Sequence, residues 1–197
     1  MSINLTKGQR ISLSKENPSL TQITVGLGWD VNKYSGGYDF DLDASAFLLG
    51  ANDKVRKDED FIFYGNQHSE NDAVYSTGDD RTGGNSDDGD DEQIVVDLTK
   101  LPSNVEKIAF TATIYDAVKR NQNFGMVSNA YIRVVDDSTG REIVKFDLGE
   151  QFSIETAIVA AEVYKSNGEW KFNAVGAGFS GGLAALCKNF GIDAEAE

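Results

Sequence analysis

From Tyr38 to Phe47 the chain reads Tyr38-Asp39-Phe40-Asp41-Leu42-Asp43-Ala44-Ser45-Ala46-Phe47, apolar and polar side chains in strict alternation. A period of two is that of an extended strand and of no helix. On such a strand Phe40, Leu42, Ala44 and Ala46 face a core, while Asp39, Asp41, Asp43 and Ser45 share the opposite side. The carboxylates then stand roughly 6.6 Å apart and repel by ~2.5 kcal/mol per neighbouring pair at an effective dielectric of about 20. Aspartate is also poor strand material. A solvated strand face is the bland explanation. A hard, oxygen-seeking cation that removes the repulsion is the sharper one. The spacing is not that of an EF-hand, because Ala44 stands where the turn glycine belongs and Gly50 where the bidentate glutamate belongs.

A second acidic stretch runs from Gly78 through Asp79-Asp80-Arg81-Thr82-Gly83-Gly84-Asn85-Ser86-Asp87-Asp88-Gly89 to Asp90-Asp91-Glu92. It places seven acids in fourteen residues against the single Arg81. Gly83, Gly84 and Gly89 let the backbone turn carbonyl oxygens inward, completing the six to eight oxygens that calcium takes. A charge run of this kind is also the composition of a plain acidic loop. Gly28-Trp29-Asp30 and Tyr115-Asp116 add acids at expected strand ends, and loops gathered at one end of a sandwich are a common place for a site.

The remainder of the chain fits the same architecture. Short β-like runs alternate with Gly, Asn and Asp clusters, the pattern of an all-β, two-sheet antiparallel sandwich. Strands are expected over 9–14, 21–29, 38–49, 61–64, 73–76, 93–98, 107–115, 130–135, 142–147, 153–164 and 170–175. Asn167-Gly168 is a strong hairpin turn. The alanines of 156–163 would equally suit a helix. A few short helices are expected, including one over 181–190, where Leu183, Leu186 and Phe190 recur at helical spacing before Gly191. With 197 residues, 40% of them hydrophobic, one domain over 1–197 with a loose acidic tail from Asp193 is the simplest organisation.

A net charge of −14 argues strongly against a nucleic-acid partner and disfavours an anionic membrane surface. The lone Cys187 fits a reducing compartment, and no apolar run has the length of a signal peptide or a membrane span. A cytoplasmic protein without direct membrane insertion is expected. The parts for nucleophilic catalysis are missing: His68, the one histidine, lies in a polar loop, and Cys187 sits among apolar residues. No Walker or Rossmann fingerprint is present.

Val25-Gly26-Leu27-Gly28-Trp29-Asp30, the alternating strand through Leu49, Gly78-Asp79-Asp80-Arg81-Thr82-Gly83 and Asp90-Asp91-Glu92 closely resemble the TerD family of tellurium-resistance and general stress proteins. Asn123-Phe124-Gly125, Asn129-Ala130-Tyr131-Ile132-Arg133-Val134 and Gly168-Glu169-Trp170-Lys171-Phe172 continue the likeness, which runs from about Ile3 to Gly191. The resemblance implies a β-sandwich that binds Ca2+ in acidic loops and has no established catalytic reaction. It also implies partners among other stress and tellurium-resistance proteins, some of them membrane-associated. Mapped onto this chain, the implied metal ligands are Asp30, Asp39, Asp41, Asp43, Asp79, Asp80, Asp90, Asp91 and Glu92.

The leading expectation is thus a non-enzymatic, calcium-binding stress-response protein whose metal orders a partner-binding surface. One alternative is a metal-dependent phosphate-processing enzyme using the same carboxylates, disfavoured because only Arg81 accompanies the acidic loops. The other is an acidic interaction module that needs no metal.

Overall fold

A computed structural model describes residues 2–30, 37–78, 81, 89–148 and 152–193. The strands, in chain order, are β1 (Ile3–Leu5), β2 (Arg10–Ser12), β3 (Gln22–Gly28), β4 (Leu42–Leu49), β5 (Phe61–Ile62), β6 (Val74–Ser76), β7 (Glu92–Asp97), β8 (Lys107–Ile114), β9 (Tyr131–Asp136), β10 (Arg141–Asp147), β11 (Ala157–Ser166) and β12 (Glu169–Phe179). Three α-helical segments accompany them: α1 (Leu13–Glu16), α2 (Ala117–Arg120) and α3 (Gly182–Phe190).

The strands form two six-stranded sheets, ordered β1-β10-β9-β3-β7-β6 and β2-β12-β11-β8-β4-β5. All pairs are antiparallel except β1 with β10, which is parallel. The inner faces meet in one core, where Ile23, Val25, Leu27 and Trp29 of the first sheet's side oppose Phe40, Leu42, Ala46 and Leu48 of the second. The two-residue alternation of 40–48 therefore does what period-two patterning requires. The far face of the second sheet is covered as well. There Phe47, Leu49, Ala109, Ala157 and Val159 pack beneath Leu186, Cys187 and Phe190 of α3.

Several expected boundaries move, for local reasons. The strand expected from Tyr38 begins only at Leu42, because the carbonyls of Tyr38 and Asp39 accept from Gln122 Nε2 and that of Phe40 from Trp29 Nε1. The stretch 156–163 is strand from Ala157 onward, not helix. Its small alanines suit a strand buried on both sides, and a bulge falls between Val159 and Ala161. Leu13 belongs to a helical turn capped by Ser12 Oγ rather than to a first strand. Asn167 and Gly168 both take positive φ, as the tight hairpin turn demands. The helix α3 ends on Gly191 at φ 89°, where a side chain would be strained. Among the described residues, no helix is long and apolar enough to cross a membrane.

Turn carboxylates give the fold a predictable acid response. Burial raises the pKa of Asp136, but hydrogen bonds from Ser138 N, Ser138 Oγ and Thr139 Oγ1 outweigh it and hold the group below its ordinary value. Thr99 N and Oγ1 hold Asp97 down in the same way. A depressed folded pKa contributes stability that is complete above the unfolded pKa, near pH 4, and is lost as pH falls through the folded value. Urea midpoints should therefore stay level from these two groups above pH 5. Below pH 4 they should drop, each carboxylate adding up to about 1.4 kcal/mol per pH unit. An acid slope equally steep in Asp97→Asn and Asp136→Asn would remove these groups as its cause.

Candidate functional site

The acidic segments converge because β3 and β7, and β4 and β8, place their ends at the same end of the sandwich. Asp91 N donates to Leu27 O, and Trp29 N returns a 2.8 Å hydrogen bond to Asp91 Oδ2. Glu92 shares the inward parity of Ile94 and Val96, so its carboxylate crosses between the sheets and accepts from Ala44 N. That amide lies on β4 beyond the reach of the short β5, whose pairing covers only Ala46 and Phe47. Tyr115 N closes onto Asp41 O, and Asp30 N onto Ser128 O. The result is one acidic end stitched from residues 28–30, 38–44, 90–92 and 115–129.

The carboxylates there differ sharply. Asp41, Asp43 and Glu92 are 7%, 8% and 5% exposed, so the alternating acids do not form a solvated strand face. Asp39 precedes the strand and is exposed. Asp30 accepts from Asn129 Nδ2 at 2.8 Å. Asp90 is 4% exposed and is gripped by Arg133 through Nε at 2.7 Å and Nη2 at 2.9 Å, with Tyr131 Oη and Gln93 Nε2 also donating to it. Burial and the Asp90 carboxylate raise the Tyr131 pKa. Burial disfavours the Arg133 charge, yet Asp90 and Glu142 more than restore it and hold that pKa above its ordinary value. Asp116 takes φ 52°, opens α2 and pairs with Lys119 at 3.3 Å, so it serves the turn. Asp79 and Asp80 lie outside the described residues, as do Gly83 and Gly84.

Sequence reasoning found Arg81 alone among the acidic loops, and the fold corrects that. Arg120 Nη1 lies 3.3 Å from Asp41 Oδ2, 79 residues away, and Arg133 holds Asp90 across 43. No local pattern could announce pairs so distant. Two further oxygens lie here, Ser45 Oγ and Gln122 Oε1, both buried without a hydrogen-bond partner among the described residues. Ser45 follows Asp43 on one face of β4, and Gln122 reaches the carbonyls of Tyr38 and Asp39.

Among the described residues, no three His, Cys, Asp or Glu side chains close on a common point as a cation cage. The donor chemistry is nevertheless uniform. Carboxylate, amide and hydroxyl oxygens are present at this end, with no nitrogen or sulfur ligand, which suits a hard cation such as calcium and not zinc. The buried, unpartnered oxygens of Ser45 and Gln122 are the kind of acceptor that a cation satisfies. His68 is exposed, bonds Asp72 and stacks on Tyr75.

The profile of the TerD domain matches residues 1–190. The chain is 62% identical over 192 residues to the uncharacterised protein YceE of Bacillus subtilis (strain 168), covering 98% of this chain and 99% of that one. It is 52% identical over 192 residues to general stress protein 16U of the same organism, covering 98% of each. With the tellurium resistance protein TerD of Serratia marcescens it shares 53% over 194 residues, 98% of this chain and all of that one. Among solved structures, a homologue of telluride resistance protein TerD from Streptomyces coelicolor A3(2) superposes with a TM-score of 0.67. At 22% identity, covering 86% of this chain and 95% of that one, it speaks to the fold alone.

Proposed function

Because this chain belongs to the TerD family of tellurium-resistance and stress-response proteins, we propose that it is a cytoplasmic, non-enzymatic calcium-binding member whose acidic end docks other proteins of the same response. The observation that carries this reading is the burial of three carboxylates, Asp41, Asp43 and Glu92, at the acidic end of the sandwich. The calcium ligands would be drawn from among Asp30, Asp39, Asp41, Asp43, Asp79, Asp80, Asp91 and Glu92. Asp90 is the anchor that fixes residues 89–92 to β9 through Arg133. When bound, calcium supplies positive charge and six to eight oxygen-coordination positions, lifting the repulsion among the carboxylates. The chain's own residues then do the shaping. Trp29 N orients Asp91, Ala44 N orients Glu92, and Gln122 fixes the carbonyls of Tyr38 and Asp39.

Thermal unfolding of chelator-stripped protein tests this reading directly. Calcium at 100 times its dissociation constant should add about 2.7 kcal/mol, a rise of roughly 5–11 °C for a domain of this size. Magnesium, which demands tighter octahedral geometry and keeps its waters, should do much less. The double variant Asp41→Asn, Asp43→Asn should lose the calcium response. A full response in that variant, or none in the parent protein, would sink the assignment.

A further inference from the structure

Among the described residues, six large apolar side chains are well exposed, and five of them gather in the loops at one end of the second sheet: Tyr38, Tyr115, Val118, Met126 and Ile154. The start of β4, the end of β8 and the start of β11 share that end, since Leu42 pairs with Ile114 and Ala157 with Thr113. The loops are laced to one another. Tyr115 N donates to Asp41 O at 2.8 Å, Gln122 Nε2 to Tyr38 O at 2.9 Å and Phe124 N to Glu155 O at 2.9 Å. Phe124, Val127 and Phe152 anchor them in the main core, so firmly seated loops hold these five side chains in water. The turn of α2 illustrates the cost. Asp116 and Asn121 take φ 52° and 54° at its two ends, a left-handed backbone unfavourable without glycine, and Val118 between them is 88% exposed. The cations of the patch are already matched, Lys119 by Asp116 and Arg120 by Asp41, each at 3.3 Å. Arg120 also lies 5.6 Å and 5.0 Å from the Tyr38 and Tyr115 ring centroids.

We propose that this cluster is the docking surface for a basic protein partner, which seats apolar side chains among Tyr38, Val118 and Ile154 and flanks them with Lys or Arg. The inference rests on the docking part of the reading above and uses no metal. Exposed apolar side chains gathered in one place and rimmed by polar ones mark an interaction site. Tyrosine and arginine are also the residue types that most often anchor interfaces. Charge selects the occupant. A net charge of −14 draws in a basic protein and repels both a second copy of this chain and an anionic lipid surface. With Lys119 and Arg120 matched, nothing in the patch calls for an acidic partner. The apolar side chains supply the affinity, and the long-range field supplies the encounter rate.

The test uses a designed peptide of leucine and lysine at amphipathic helical spacing, titrated into the full chain and followed by calorimetry and by amide shifts in NMR. It is run once with calcium and once with chelator, and binding in either condition counts for the surface. The largest shifts should fall on 38–41, 115–126 and 153–156. Val118→Ser combined with Ile154→Ser should weaken binding at least about tenfold, while Tyr64→Ser, at the one well-exposed large apolar residue elsewhere, should leave it unchanged. A control peptide with serine in place of leucine should bind far more weakly. Equal binding by that control, or full affinity in the Val118, Ile154 double variant, overturns this surface and leaves docking at the acidic end standing. No binding of the leucine–lysine peptide in either condition overturns both. Self-association of the parent, or its sedimentation with phosphatidylcholine vesicles, that the double variant abolishes would give the face to a second copy or to lipid and overturn the basic partner.

Discussion

Replacing Gly26 with alanine is expected to destabilise the protein by about 3–5 kcal/mol, the cost of breaking a buried ion pair by displacing one partner. A Cβ on Gly26 would lie 2.1 Å from Asp90 Oδ2, 2.3 Å from its Cγ and 2.6 Å from Oδ1. The backbone there needs no positive φ, so the reason for glycine is the close approach of the carboxylate. Asp90 cannot step aside without loosening its two bonds to Arg133, whose side chain is 20% exposed against 0% for Asp90. Gly28 repeats the arrangement two residues on, with the Tyr131 ring 2.5 Å from its would-be Cβ, so β3 presents a bare trough in which the 89–92 turn and β9 meet. Urea unfolding of Gly26→Ala, Asp90→Ala and the double variant measures the coupling. The double variant should be much less destabilised than the sum of the two, because alanine at 90 leaves nothing for the new methyl to strike. Strict additivity would show that the trough does not act through Asp90.

Phe47→Ala should cost about 3–5 kcal/mol as well, and its damage should concentrate on α3. Phe47 is fully buried, stacks on Phe61 with ring centroids 4.3 Å apart and meets Phe190 at 4.6 Å. It lies on the outer side of its sheet, so truncation empties the small cluster under the helix and spares the main core. Cys187 reports on that cluster: it is 2% exposed, and burial raises its thiol pKa, so thiol reagents should reach it slowly in the folded parent. Phe47→Ala should raise its labelling rate under native conditions by at least about tenfold through easier local opening of α3. Val118→Ala, at a side chain 88% exposed, is the control and should stay within about 0.5 kcal/mol of the parent. Unchanged Cys187 labelling in Phe47→Ala would mean that α3 is held by other contacts.

The sandwich was legible because its long strands carry period-two patterning and its turns carry their own chemistry. Gln22–Gly28, Lys107–Ile114 and the hairpin at Asn167-Gly168 all fall where residue type alone puts them. What escaped were segments too short to show a period: β1, with three residues, and α1 and α2, with four each. The candidate site was half legible. Clustered aspartates announce themselves, and the fold does bring Asp30, Asp39, Asp41, Asp43, Asp90, Asp91 and Glu92 to one end. Their individual situations depend on partners far along the chain, Trp29 with Asp91 across 62 residues and Ala44 with Glu92 across 48. Gly26 illustrates the limit best, since its neighbour in space is invisible in the sequence around it.

The pairing of β1 with β10 and of β2 with β12 bears on how the molecule is made. Within its first dozen residues the chain provides one outermost strand for each sheet, and the link between them is fastened to Ala174 from Gly8 N and Gln9 O. Synthesis proceeds from the N-terminus, so β1 and β2 must wait for partners made much later in the chain. Until residues 141–179 exist, Ile3–Leu5 and Arg10–Ser12 have no native ladder to join. Neither sheet can acquire that border before those residues have been made. Closure is a late event dominated by non-local contacts, a topology associated with folding in milliseconds to seconds, and the nascent chain carries its unpaired strands throughout that wait.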